Sequence, residues 1–454
     1  MEQSTAQKNE PGTLVVGLGK TGLSCVRHLR RLGRRVTAVD SRVSPPALAA
    51  VSQEFPEVRV TLGGFSHQAF QDVGDIVVSP GVSLSEPALQ QALAARIPVC
   101  GDIELFARAV GAIPVVAITG SNGKSTVTTM VTEMLRMDGR RVKVGGNLGM
   151  PALSLLEGDR PEVYVLELSS FQLETTDSLH PQVAAVLNVS ADHMDRYAGV
   201  EEYASIKARI FAGRGVMVLN RDDGRVAAMA RAGRQVVFYT LGVPRVDEFG
   251  LQPGDDGGHL SLGETPIVAA NALKVAGRHN IANALAAMAI ASVLGVSQDA
   301  MARVLKNFRG LPHRCQLVAE VGDVRWYDDS KATNVGATVA SISGLGRRPG
   351  GLILIAGGDA KGADFSALAE PLSRHVGLLL LIGRDAWRIA AVAQGVVEVV
   401  HAEDMSDAVD IAHARARPGD SVLLAPACAS FDMYRSYEER GDAFAAEVRR
   451  VLAA

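Results

Sequence analysis

The chain has 454 residues, a formal net charge of −3, 47% hydrophobic residues and 21% charged residues. This balance is that of a globular protein and excludes a low-complexity or disordered chain. The length is too great for one ordinary core and predicts two to four domains. With no polybasic run, no signal-peptide core and no apolar run near the roughly 18 residues of a membrane span, we expect a cytoplasmic protein that binds neither nucleic acid nor membrane. The four cysteines show no metal-binding spacing and indicate free thiols in a reducing compartment.

Strand-like runs alternate with helical patterns along the whole chain, which predicts α/β domains with mainly parallel sheets. The first unit contains predicted strands at 13–17, 35–40 and 75–79 and a helix over 21–32. The second contains strands at 113–120, 162–168 and 183–189, helices near 124–137 and over 279–294, and a small hairpin region at 240–270. The third contains a strand pair within 316–329 and further strands at 351–358 and 421–430. The predicted domains are 1–102, 103–310 and 311–454.

A glycine turn with the sequence GLGKTG, residues 17–22, follows the first predicted strand and opens the first helix. Asp40 ends the next strand, where it is positioned for a ribose hydroxyl. Taken alone, this is a dinucleotide fingerprint, and it leaves an NAD-dependent oxidoreductase open. A Rossmann-type turn without a ligand is the other interpretation.

The strongest local signal is TGSNGKST, residues 119–126, between a predicted buried strand and a helix. Backbone N–H groups of such a turn, together with the helix N-terminus, form a cradle for phosphate oxygens. Lys124 is then placed to reach the β- and γ-phosphates, and Ser125 to bind Mg²⁺. The full phosphate-loop pattern is incomplete, because its first glycine would fall at Ile118. The alternative is a glycine turn with an incidental lysine.

Further polar positions follow strands of the second and third units. Glu167 ends a strand beside the phosphate loop, where a carboxylate is a natural Mg²⁺ ligand. His193 follows the next strand, between Asp192 and Asp195, and either a metal-binding or a structural role fits it. Lys207 lies on the following predicted helix, and spacing does not distinguish it from a surface lysine. The loops at 328–334 and 357–365 are typical of ligand-binding loops but equally of helix caps.

Nine segments in this order closely resemble the Mur ligase family: GDIELF, AITGSNGKSTVTT, VGGNLGMPAL, LELSSFQLETT, LNVSADHMDRY, GLPHR, DDSKATN, GGDAKGADF and APACASFD. The resemblance covers nearly the whole chain, although stretches 221–275 and 384–420 carry little of it. It implies a Rossmann-like N-terminal domain that binds the UDP end of a muramoyl substrate. It also implies a central P-loop-type ATPase domain and a Rossmann-like C-terminal domain that binds the amino acid.

The activity implied by this resemblance is ATP-dependent amide formation in peptidoglycan synthesis. D-glutamate would be joined to UDP-N-acetylmuramoyl-L-alanine through an acyl phosphate, with release of ADP and phosphate. The expected cofactors are ATP and Mg²⁺ at two sites, with Lys207 carbamylated, and the expected partners of a monomeric enzyme are small-molecule substrates. The alternatives are a related ligase for another amino acid, the NAD-binding oxidoreductase, and a catalytically inactive nucleotide-binding scaffold.

The resemblance also assigns roles to individual residues. The implied catalytic residues are Lys124, Glu167, His193 and Lys207, and the implied metal ligands are Ser125, Glu167, His193 and Lys207. The implied ATP site comprises Gly120, Ser121, Asn122, Gly123, Lys124, Ser125, Thr126, Asn280, Asn283, Arg314 and Asp329. The muramoyl substrate would contact Thr21, Asp40, Ser41, Arg42, Ser79, Pro80, Gly81 and Asn147, and D-glutamate would contact Thr333, Lys361, Ser430 and Tyr437. Lys20 and Tyr437 replace the apolar residue and the phenylalanine expected at those positions.

Overall fold

A computed structural model describes residues 12–254, 257–275, 277–346 and 351–453. These residues form three successive sheets, each built mainly from parallel strands and flanked by helices. The α/β prediction is therefore confirmed. Within the described ranges, no helix is both long enough and apolar enough to cross a membrane.

The first sheet has five parallel strands in the order β3-β2-β1-β4-β5. Its elements are β1 (Gly12–Val16), α1 (Lys20–Arg31), β2 (Val36–Asp40), α2 (Leu48–Glu54), β3 (Arg59–Leu62), β4 (Val73–Val78), α3 (Pro87–Ala94), β5 (Val99–Cys100) and α4 (Asp102–Ala109). The strand order reverses between β1 and β4. Such a switch point opens a crevice at the carboxyl ends of the strands, where ligands bind in α/β sheets.

The second sheet has nine strands in the order β14-β13-β12-β11-β10-β9-β6-β8-β7. Its strands are β6 (Val115–Thr119), β7 (Val142–Gly146), β8 (Val163–Glu167), β9 (Val183–Val186), β10 (Val216–Asn220), β11 (Val236–Tyr239), β12 (Phe249–Gln252), β13 (His259–Leu262) and β14 (Thr265–Ala269). Its helices are α5 (Lys124–Met137), α6 (Ser170–Leu173), α7 (Val200–Ala208), α8 (Gly224–Ala227), α9 (Arg278–Val293) and α10 (Gln298–Asn307). Strands β12 to β14 pair antiparallel, which confirms the predicted hairpin region.

The third sheet has six strands in the order β15-β16-β20-β17-β18-β19, of which only β15 and β16 pair antiparallel. Its strands are β15 (Gln316–Val321), β16 (Val324–Asp328), β17 (Leu352–Gly357), β18 (Val376–Ile382), β19 (Glu398–His401) and β20 (Ser421–Leu424). Its helices are α11 (Val335–Leu345), α12 (Ala369–His375), α13 (Ala386–Ala393), α14 (Met405–Arg415) and α15 (Tyr437–Ala453). Both faces of this sheet are covered by buried apolar side chains.

Helix α4 connects the first sheet to the second through buried carboxylates. Gln172 donates to Asp102 at 3.1 Å, and Glu104 accepts the backbone N–H groups of Asp177 and Ser178 at 2.8 Å each. Burial raises the pKa of Asp102 to about 6, because a carboxylate removed from water is disfavoured in its charged form. These bonds hold α4 against α6 and the loop that follows it.

Candidate active site

The glycine turn after β6 wraps around the start of α5. Gly123 has a φ of +82° as the N-cap of α5, and a Cβ there would lie 2.3 Å from Asn283 Oδ1. Glycine is therefore required both for the left-handed backbone and for the close approach of α9. Lys124 folds back over the turn and donates to the carbonyl oxygens of Gly120 at 2.8 Å and Ser121 at 3.0 Å. The turn has the form of a phosphate cradle with a lysine at its mouth.

Lys207 approaches the same turn from α7. Only 1% of the residue is exposed, and its Nζ donates to Gly120 O at 3.0 Å. Burial, and after it the positive charge of Lys124, lowers the pKa of Lys207 well below its usual value. Tyr203 covers the ammonium, with its ring centroid 4.3 Å from Nζ. The site thus favours a neutral amine at this position.

Glu167 is the last residue of β8, and His193 lies beyond the carboxyl end of β9. Asn147 donates to Glu167 Oε1 at 2.7 Å, and the buried Oε2 has no hydrogen-bond partner among the described residues. His193 has a φ of +58°, and its Nε2 lies 3.7 Å from an oxygen of Asp192. Burial lowers the pKa of His193, which favours the neutral imidazole that binds metal ions.

A cavity of about 730 Å³ opens between the central and third domains. Fourteen of the residues predicted for the site line it: Ser121, Asn122, Gly123, Lys124, Ser125, Asn147, Glu167, His193, Lys207, Arg314, Thr333, Lys361, Ser430 and Tyr437. The structure therefore brings the phosphate loop, the two strand-end positions and the amino-acid loops to one place.

Five predicted nucleotide residues lie outside the cavity lining: Gly120, Thr126, Asn280, Asn283 and Asp329. Asn283 lies behind Gly123, and its Nδ2 donates to Asn280 Oδ1 at 3.3 Å. Asp329 is buried and accepts the N–H of Cys315 at 3.1 Å, and burial raises its pKa to about 6. Asp329 supports the turn from which Arg314 donates to Ser125 Oγ at 2.7 Å. Its predicted role as a direct nucleotide contact stays a prediction.

The predicted muramoyl-substrate residues of the first domain are separate from this cavity. Thr21, Ser41, Arg42, Ser79, Pro80 and Gly81 cluster with Asp40 around the carboxyl ends of β1, β2 and β4. Asp40 accepts the N–H of Leu18 at 2.6 Å and the Nε–H of Arg42 at 2.8 Å. The Arg42 guanidinium and these N–H groups lower the pKa of Asp40 to about 2. Arg196 of the central domain donates to Pro80 O at 3.2 Å and so ties this edge to the second sheet.

Two basic residues, one that lines the cavity and one that is bonded to segments lining it, were not identified from the sequence. Lys331 lines the cavity with its Nζ 3.8 Å from the ring centroid of Tyr437, and burial lowers its pKa to about 8. The sequence indication for Lys331 was its position within the segment DDSKATN, residues 328–334. Arg440 is 1% exposed and donates to the carbonyl oxygens of Ser330 at 2.8 Å and Cys428 at 3.2 Å. Arg440 lies on α15, and nothing in the sequence pattern of that helix distinguishes it from a surface arginine.

Three family models match successive parts of the chain. They describe a MurD-like Mur ligase N-terminal domain over residues 12–101, the Mur ligase middle domain over 118–291, and the Mur ligase glutamate ligase domain over 313–428. The chain belongs to the Mur ligase family. The resemblance inferred from the nine sequence segments is confirmed.

Curated relatives of this Mur ligase match along almost its whole length. A UDP-N-acetylmuramoylalanine–D-glutamate ligase from Nitrosococcus oceani is 52% identical over 440 residues, covering 97% of each chain. A protein of the same name from Pseudomonas putida is 49% identical over 433 residues, covering 95% of this chain and 96% of its own.

Solved structures of other Mur ligases and related peptide ligases share the fold. A pseudomurein peptide ligase type C from Methanothermus fervidus superposes with a TM-score of 0.60 at 19% identity, covering 97% of this chain and 100% of its own. A UDP-N-acetylmuramate–alanine ligase from Thermotoga maritima also gives 0.60, at 16% identity, covering 98% and 100%. At such low identity the likeness extends to the fold alone.

Proposed function

We propose that this Mur ligase joins D-glutamate to UDP-N-acetylmuramoyl-L-alanine in peptidoglycan synthesis, releasing ADP and phosphate. The observation that carries the proposal is the cavity in which the phosphate loop, Glu167, His193 and the loops of the third domain meet. Two curated relatives at about half identity along nearly their full length bear the corresponding name. The proposed enzyme is a monomer and works in the cytoplasm.

The chemistry requires that the substrate carboxylate be activated, because hydroxide is a poor leaving group. A carboxylate oxygen attacks the γ-phosphorus of ATP, the bond to the β-phosphate oxygen breaks, and ADP leaves. The amine of D-glutamate then attacks the acyl carbon, and phosphate departs with the carboxylate oxygen. Lys124 and the N–H groups of the turn offset charge on the transferring phosphoryl group and hold it in line. The protein therefore contributes by positioning the reacting groups and by offsetting negative charge on the phosphoryl group.

The side chains around the phosphate loop fit a magnesium ion. Glu167 Oε2 is a buried acceptor without a hydrogen-bond partner among the described residues, and Ser125 Oγ lies in the same cavity. Oxygen atoms of this kind are the ligands that Mg²⁺ prefers. Ser125 and Glu167 would hold one ion, and His193 with a carbamylated Lys207 would hold a second. When bound, Mg²⁺ neutralises negative charge on the phosphate oxygens.

The proposed carbamylation of Lys207, which the family resemblance implies, is supported by the surroundings of this residue. The ammonium first loses a proton, the neutral amine attacks the carbon of CO₂, the N–C bond forms as a C–O π bond opens, and a second proton leaves, so that a group of charge +1 becomes one of charge −1. Burial already disfavours the ammonium at this position, which promotes the first step. The product would be an anionic oxygen ligand beside the phosphate loop.

The amino-acid pocket is proposed at the third-domain side of the cavity. Thr333, Lys361, Ser430 and Tyr437 line that side. The Lys361 ammonium lies 5.2 Å from the ring centroid of Phe431 and would pair with a carboxylate of D-glutamate in a charge-assisted contact. Closure of the third domain would exclude water from the acyl phosphate.

An amino-acid panel tests the proposal. ADP release is measured with ATP, Mg²⁺ and UDP-N-acetylmuramoyl-L-alanine in the presence of D-glutamate, L-glutamate or meso-diaminopimelate. D-glutamate should support the fastest release, and faster release with either of the others would show that the substrate assignment is wrong. Binding of NADH, measured in parallel, would instead support the oxidoreductase alternative.

A further inference from the structure

The first turn of α11 makes a polar contact with two loops of the central domain. Asn334 caps α11, its Oδ1 accepting the N–H of Ala337 at 2.9 Å. Its Nδ2 donates to Asn122 Oδ1 at 3.1 Å and to Asp192 Oδ2 at 3.0 Å. Asn122 belongs to the phosphate loop, and Asp192 precedes His193. One amide group thus joins the third domain to both loops at which phosphoryl transfer is proposed.

Backbone packing brings the same surfaces close together. Gly336, the second residue of α11, lies against Ser190, and a Cβ at this glycine would stand 2.9 Å from Ser190 Oγ and 3.2 Å from its Cβ. Ser190 N–H in turn donates to Ser121 Oγ at 3.0 Å. The start of α11 therefore rests on a segment that is bonded directly to the phosphate loop.

The amino-acid side of the cavity adjoins this contact in the chain. Thr333 lines the cavity, and the next residue is Asn334. Thr333 is therefore linked to the phosphate loop through one peptide unit and the side-chain amide of Asn334. The contact is thus placed to couple the amino-acid pocket to the phosphate loop.

We propose that Asn334 is a positioning residue that holds the third domain closed on the phosphate loop and the His193 loop while the acyl phosphate exists. The inference rests on the proposed ligase function. Asn334 itself is assigned no contact with a reacting atom. Without its bonds to Asn122 and Asp192 the closed arrangement is less populated, water enters, and acyl phosphate is lost to hydrolysis before the amine attacks.

The test compares Asn334→Asp and Asn334→Ala with the wild-type chain, measuring both kcat and the ratio of ADP released to amide formed. Aspartate keeps the helix cap, since Asp and Asn cap helices about equally well, but it places a carboxylate against Asp192. In both variants kcat should fall roughly 10- to 100-fold, as expected when bonds to a charged group are lost. The ratio should rise from one to at least about two, because uncoupled hydrolysis competes once closure fails.

Asp404→Ala is the matched control. Asp404 caps α14, which has the same length as α11 and lies in the same domain, through the N–H of Asp407 at 2.9 Å. This variant should lower the melting temperature through the loss of its helix cap and leave the ratio at one. A ratio of one in both Asn334 variants would overturn the positioning role. A wild-type chain without D-glutamate-dependent turnover would instead overturn the proposed function.

A second variant pair tests the packing contact. Gly336→Ala should raise the ratio in the same way, because either α11 or Ser190 must shift to make room for the new Cβ. Adding Ser190→Gly to the same chain removes the atoms that the new Cβ meets and should lower the ratio toward one. A double variant as uncoupled as Gly336→Ala alone would contradict the inference.

Discussion

Replacing Gly123 by alanine tests the geometry of the phosphate loop. Two penalties apply. The left-handed backbone, φ +82°, costs an L-residue about 1–2 kcal/mol. The new Cβ would also lie 2.3 Å from Asn283 Oδ1, about 0.7 Å short of the 3.0 Å below which Cβ contacts are essentially never found. Either the loop or Asn283 must move by at least that amount.

The displacement caused by the contact between the new Cβ and Asn283 should lower the affinity for nucleotide. A displaced loop would lose a hydrogen bond to a charged phosphate oxygen, worth about 1.5–3 kcal/mol, so we expect Gly123→Ala to weaken ATP binding by roughly 10- to 100-fold. Gly139→Ala is the matched control, because Gly139 lies just past the other end of α5 with a φ of +87°, and a Cβ added there would meet no atom within 4 Å. The control should lose similar stability and bind ATP normally.

The assay is titration of ATP and ADP by calorimetry, with thermal melting of both variants. If both variants bind nucleotide as tightly as the wild-type chain, the cradle assigned to residues 119–126 is wrong. A loss of affinity shared equally by both variants would contradict the reasoning too, since it would reflect stability alone.

Four further predictions follow from individual side chains. Lys124→Ala should lower kcat at least about 100-fold while the chain stays folded, as judged by a cooperative melting transition; a folded variant that keeps most of its activity would contradict the phosphate-loop role. Lys361→Ala should raise the KM for D-glutamate about 10-fold or more and leave ATP affinity unchanged by titration, and equal damage to both would move Lys361 out of the amino-acid pocket. Lys207→Ala should lose most activity, and added formate or acetate should restore part of it by filling the anion site; no rescue across a series of small carboxylates would count against a carbamate. Asp102→Asn should stabilise the fold at neutral pH, because the unfolded chain ionises its carboxyl near the ordinary pKa whereas the folded pKa is raised to about 6. The gain should grow as the pH rises from about 4 to about 6, stay constant at roughly 2–3 kcal/mol above that and fall away below about pH 4 in denaturant titrations, and a gain independent of pH would refute the assigned cause.

Local sequence signals predicted the contiguous parts of the site. The glycine turn at 119–126 and the helix expected near 124–137 correspond to the loop after β6 and to α5, Lys124–Met137. Glu167 was expected at the end of a strand and His193 after the next one, and both lie there. Such strand–turn–helix segments are encoded within some twenty residues, so backbone propensity and glycine placement suffice to reveal them.

Long-range contacts could not be predicted from local pattern. Asn122 and Asn334 bond across 212 positions, and Arg440 reaches Ser330 across 110. Lys207 has the spacing of a surface lysine, yet packing against Tyr203 and the phosphate loop buries it. The order of the strands in the nine-stranded sheet is likewise a tertiary property. For Lys207 only the family resemblance indicated a role.

Transfer of an isotope label tests the central claim most directly. Both oxygens of the terminal carboxylate of UDP-N-acetylmuramoyl-L-alanine are labelled with ¹⁸O. The phosphate released during D-glutamate-dependent turnover is then analysed by mass spectrometry. If the carboxylate is activated as an acyl phosphate, each phosphate released with an amide should carry one ¹⁸O atom. Phosphate without the label, accompanied by amide product, would contradict the account.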